Sequence, residues 1–80
     1  MGNILITGAS RGIGEATARV LAAKGHNVCI NYHTQKDLAH QLVVDLTQKD
    51  IKAIAVEADV YQGQQVVDLF NTMDEQLGPL

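Results

Sequence analysis

Eighty residues, 46% of them apolar and 19% charged, with a formal net charge of −3, describe an ordinary globular segment the size of one small domain. That balance excludes a disordered chain, and the lack of a basic cluster points away from nucleic acid and from anionic membrane surfaces as partners. A single cysteine, Cys29, excludes an internal disulfide; inside an apolar run it is expected to act as a small buried hydrophobe.

No apolar stretch approaches the length of a membrane span. The first apolar run begins so soon after Met1 that a signal peptide is not expected, and the expected setting is the cytoplasm. His26, His33 and His40 stand apart without grouped acids or cysteines, so no metal site is expected.

Taken in chain order, Asn3 to Thr7 is a short isoleucine-rich run, as a fully buried parallel strand requires. It breaks into a turn with glycines at 8, 12 and 14, which bend the chain tightly and let an anion approach the backbone. A helix is predicted over about 12–24, with Ile13, Ala16, Thr17, Val20, Leu21 and Lys24 at helical spacing and Gly25 as its stop. Its N-terminus would turn unpaired N–H groups and a positive dipole end toward the turn, the arrangement that cradles a dinucleotide pyrophosphate.

A second strand is predicted over 27–31 and a second helix over roughly 35–49, with Leu38, Leu42, Val43 and Leu46 along one face. A third strand over 53–57 precedes a third helix marked by Val66, Val67, Phe70, Met73 and Leu77 and closed by Gly78-Pro79. Three strands alternating with three helices predict an α/β fold with a parallel sheet. Right-handed crossovers then order the strands 3-2-1, with the first two helices on one face and the third on the other. This is the first half of a doubly wound, Rossmann-type sheet, in one piece and without repeats.

The stretch Thr7-Gly8-Ala9-Ser10-Arg11-Gly12-Ile13-Gly14 resembles the TGxxxGIG fingerprint of the short-chain dehydrogenase/reductase family. Its spacing, G-x-x-x-G-x-G, differs from the general G-x-G-x-x-G pattern. Ala58-Asp59-Val60, after the third strand, is similar to the family's D-V pair. The order and lengths of the elements match the family's N-terminal third. The resemblance therefore implies that residues 1–80 are a partial dinucleotide-binding domain that stops before strand four.

On that resemblance, Gly8 makes the tight turn, Gly12 admits the phosphate and Gly14 lets helix pack on strand. Ser10 and Ile13 would contact phosphate or ribose, Thr7 would brace the loop, and the Asp59 carboxylate, followed by Val60, would meet the adenine amino group. NAD-specific relatives carry an acid at the end of strand two, and here that position falls on the uncharged Tyr32. His33 and Thr34 follow, and Arg11 can reach the same spot as a donor to a 2′-phosphate. The expected cofactor is NADP rather than NAD.

In this family a serine and a Tyr-x-x-x-Lys motif, beyond an N-N-A-G strand, carry the chemistry. Tyr32 and Lys36 match that motif as letters but fall after strand two, at the adenine end, so the match is read as coincidence and no catalytic residue is expected. The parent enzyme would exchange hydride between nicotinamide and a small carbonyl or alcohol substrate, in the manner of oxoacyl-carrier-protein reductases and sugar or alcohol dehydrogenases. The alternative is a stand-alone nucleotide- or partner-binding module without activity. An unpaired outer edge on strand one leads to the expectation of a weakly stable or homo-oligomeric chain.

Overall fold

The computed structural model describes residues 2–8, 12–48 and 50–78. Within them the order is β1 (Asn3–Thr7), α1 (Gly12–Ala23), β2 (Asn27–Tyr32), α2 (Lys36–Leu46), β3 (Ala53–Glu57) and α3 (Gly63–Gln76). The strands form one sheet in the order β1-β2-β3, which is the expected 3-2-1 arrangement counted from the other edge. Both pairings are parallel, with Thr7 opposite Asn31 and Asn31 opposite Val56, so all three strands end on one edge.

Alternation along β2 divides the core in two. Val28, Ile30 and Tyr32 point to one face, where they pack with Ala18 and Ala22 of α1 and with Ala39, Leu42 and Leu46 of α2. Cys29 points to the other face and packs with Leu69 and Met73 of α3 and with Leu77 at its C-cap. The two faces of a strand with period two thus bury helices on both sides, as right-handed crossovers require. Among the described residues no helix is long and apolar enough to cross a membrane.

The helices are rotated from the stripes expected of them. On α1 the buried residues are Ala18 and Ala22, while Ile13 and Val20 remain exposed. Alanines carry almost no side chain, so this face brings the helix backbone close to the sheet and the bulkier residues stay outside. On α3 the core takes Leu69 and Met73, followed by Leu77 at the C-cap, leaving Val67 and Phe70 exposed. Leu69 and Phe70 lie four and three residues from Met73, so spacing alone admits either; the sheet selects Leu69. On α2, Ala39 is buried and Leu38 is not.

Gly25 ends α1 as expected. At φ +91° it occupies the left-handed region, its N–H donates to the Ala22 carbonyl, and the His26 N–H donates back to Leu21 at 3.2 Å. The second helix stops sooner than its expected end near residue 49. Its C-cap is Thr47, whose N–H donates to the Val43 carbonyl at 2.9 Å and whose hydroxyl donates to the Val44 carbonyl at 2.9 Å.

Asparagines tie the strand starts together. Asn27 Nδ2 donates to Asn3 Oδ1 at 2.9 Å, the Lys52 N–H donates to Asn27 Oδ1 at 2.9 Å, and Asn3 Nδ2 donates to the Leu77 carbonyl at 2.8 Å. One end of the sheet is closed by this network. The opposite edge stays open, and the glycine turn emerges there.

Candidate functional site

At the end of β1 the chain turns at Gly8, with φ +60°, and re-enters helix at Gly12, with φ +69°. An L residue held in that region costs about 1–2 kcal/mol, so the backbone itself demands glycine at both places. A Cβ built on either would meet nothing within 4 Å. The glycines therefore face open space in front of the first turn of α1. That helix is 12 residues long, and its leading N–H groups lack partners within the helix. Gly14 is half-buried in the same turn, and Ile13 is 88% exposed. Ser10 and Arg11, both expected at the phosphates, lie outside the described residues.

The ends of all three strands enclose a cavity of about 270 Å³ beside this turn. Thr7 and Gly8 line it from β1, Asn31 and His33 from β2, and the segment 58–61 from β3. The expected residues Gly8, His33, Asp59 and Val60 thus come together around one cavity.

Asp59 is held by its own turn. Its N–H donates to Gln65 Oε1 at 2.7 Å, its Oδ1 accepts from the Tyr61 N–H at 3.0 Å, and its carbonyl accepts from the Gln62 N–H at 2.9 Å. The N-cap of α3 is Gln62, so Asp59 is not the helix cap, and it lines the cavity. Its second oxygen, Oδ2, faces His33 Nε2 at 3.9 Å. A carboxylate set inside, a histidine toward the mouth and an open helix N-terminus give acceptors for an amino group and donors for phosphate oxygens.

Tyr32 does not join them. Its ring is 6% exposed and belongs to the core on the α1–α2 face, edge-on to His40 with ring centroids 5.8 Å apart. The cause is strand alternation: Asn31 points to the α3 face, so Tyr32 must point away from it. The side chain expected to mark the ribose position is thereby withdrawn, and that position presents no acid. Thr34 is exposed in the turn before α2 but does not line the cavity. Tyr32 ends a strand and Lys36 starts a helix, so the pair has none of the one-helix geometry of the family's Tyr-x-x-x-Lys motif. Among the described residues no group of three potential ligands could hold a metal ion.

Asn31 and Tyr61 line the cavity although sequence reasoning passed over them. The signal for Asn31 was present, because an asparagine closing an otherwise apolar strand core must find partners when buried. Tyr61 is 93% exposed, and no periodicity distinguishes it from a loop residue.

The chain as a whole is similar to known proteins. Residues 2–80 match the family model described as short chain dehydrogenase. A 3-oxoacyl-(acyl-carrier-protein) reductase of Staphylococcus epidermidis is 39% identical over 74 residues, covering 92% of this chain and 30% of the relative. A blue fluorescent protein from a metagenomic library, solved with NADPH, superposes with a TM-score of 0.91 at 37% identity, over 99% of this chain and 32% of that one. An alcohol dehydrogenase from the archaeon Thermococcus sibiricus, solved with 5-hydroxy-NADP, gives 0.88 at 30% identity, over 99% and 33%. The chain therefore spans about a third of the length of the proteins it matches. With its fingerprint, its sheet and these relatives in agreement, this chain belongs to the short-chain dehydrogenase family.

Proposed function

We propose that these residues are the cofactor-binding segment of a cytoplasmic, NADP-dependent oxidoreductase acting on a small carbonyl or alcohol. The observation that carries this reading is the pair of left-handed glycines facing open space, Gly8 after β1 and Gly12 at the start of α1, with Gly8 lining the Asp59 cavity. Bound NADP supplies a nicotinamide that gives or takes the hydride. The turn from Gly8 through Gly12 and Ile13 to Gly14 holds the pyrophosphate against backbone N–H groups, with Ser10 adding a hydroxyl. Asp59, backed by Val60, accepts from the adenine amino group. His33, Thr34 and Arg11 supply donors to the 2′-phosphate, and no acid at Tyr32 opposes it.

The relatives solved with NADPH and 5-hydroxy-NADP support this choice of cofactor. Within the segment no side chain takes a catalytic role. The strand β1 pairs with β2 alone among the described residues, and its residues are no more than half-buried, so association of copies through this edge is part of the proposal. Sedimentation of a monomer at high concentration would argue against that association. The cofactor reading is tested by titrating NADP and NAD side by side. NADP is expected to bind at least tenfold more tightly; equal or stronger NAD binding would overturn it.

A further inference from the structure

We propose that Asn31 is a positioning residue that sets the Asp59 carboxylate, and through it the preference of the site for adenine. The inference rests on the reading of Asp59 given above. Asn31 is 3% exposed and is the one buried polar side chain among the described residues. Its amide lines the cavity and reaches across the sheet edge, where Nδ2 donates to the Ala58 carbonyl at 3.1 Å and to the Val56 carbonyl at 3.4 Å. The neighbouring backbone adds a third tie, the Ala58 N–H donating to the Tyr32 carbonyl at 2.9 Å.

Of these, the bond from Asn31 Nδ2 to the Ala58 carbonyl falls on the peptide that joins Ala58 to Asp59, and the other two hold the backbone that leads into it. A peptide unit is planar, so fixing its carbonyl also fixes the direction of the Asp59 N–H. That N–H meets Gln65 Oε1 at 2.7 Å, and the next turn places Oδ1 on the Tyr61 N–H. Asp59 has one orientation because its peptide is clamped on the Asn31 side and capped on the Gln65 side. An amide is suited to this task, since its two N–H groups serve two carbonyls at once. A valine there would leave both carbonyls without the side-chain donor, and a serine would be too short to span to Ala58.

The test compares NADP with its hypoxanthine analogue, which replaces the adenine amino group by a carbonyl and leaves every phosphate unchanged. Binding of both is measured for the full chain, Asp59→Ala, Asn31→Val and the milder Asn31→Ser. The unaltered chain is expected to favour NADP by about tenfold, the scale of one hydrogen bond to a charged group. Asp59→Ala should abolish that preference, and both Asn31 variants should reduce it to threefold or less while binding of the analogue changes by less than twofold. Asn31→Ser serves where Asn31→Val does not fold. If Asp59→Ala removes the preference and Asn31→Ser keeps it in full, or weakens both ligands equally, the positioning role is overturned and the Asp59 reading stands. An unaltered chain without any preference would overturn both.

Discussion

His33 Nε2 stands 3.9 Å from Asp59 Oδ2, so the neighbouring ends of β2 and β3 bring groups of opposite potential charge together at the cavity. The two side chains differ in depth, 62% exposed for His33 and 22% for Asp59. The acid is therefore the inner group and the imidazole the outer one. An adenine amino group suits the first, and a 2′-phosphate at the mouth suits the second.

Reversing the outer charge tests that order. His33→Asp would place a second carboxylate against Asp59 and against any 2′-phosphate. NADP binding is expected to fall by at least tenfold, with NAD binding unchanged or improved, when the two are titrated in parallel. His33→Ala removes only a donor and should cost a few-fold in NADP alone. Equal losses for both cofactors in both variants would show that His33 does not face the phosphate.

Gly12 and Gly63 make a matched pair for the backbone argument. Gly12 lies at φ +69°, whereas Gly63 opens α3 without a positive φ, and a Cβ on either would have room. Gly12→Ala is expected to lose about 1–2 kcal/mol in denaturant unfolding and to abolish NADP binding. Gly63→Ala should gain up to about 1 kcal/mol, because alanine restricts the unfolded chain and favours helix. If both substitutions were neutral, conformation would not explain glycine at residue 12.

Burial pushes the Cys29 thiol up to about 11 from its ordinary 9.0. Below pH 9 the folded and unfolded chains both keep the proton, so the shift contributes nothing there. Between pH 9 and 11 the unfolded chain loses its proton while the folded chain retains it, and stability falls by about 2–3 kcal/mol. Cys29→Ala should show a correspondingly shallower loss over that range in unfolding curves taken at each pH. Iodoacetamide should label Cys29 only at the rate of opening, since the thiol has no exposed surface. Rapid labelling of the native chain at pH 8 would contradict its burial.

The chain spelled out its fold more fully than its site. Apolar strands, glycine stops and alternation fixed the sheet and put α3 opposite α1 and α2, because these signals are local or follow from crossover handedness. Tyr32 and Asn31 show what was not legible. One position along a strand decides which side chain faces the cavity, and a count of residues does not say where the strand's alternation begins. The Asp59-Val60 pair was legible by resemblance, but the clamp on its peptide spans β2 and β3 and exists only once they pair. Arg11 and Ser10 rest on sequence alone, since they lie outside the described residues.

The rotation of α3 gives the sharpest contrast in stability. Met73 is fully buried against Cys29 and its neighbours, while Phe70, one turn earlier on the stripe that spacing suggested, is 40% exposed. Met73→Ala removes most of a packed side chain and should cost about 2–5 kcal/mol, depending on how far the site collapses. Phe70→Ala removes a larger side chain from a partly solvated place, and about 1 kcal/mol or less is expected for a residue outside the core. Denaturant midpoints at constant slope decide between the two faces. If Phe70→Ala proved the costlier change, α3 would have to be turned by roughly one residue about its axis, and Leu69 would lose its place over the sheet.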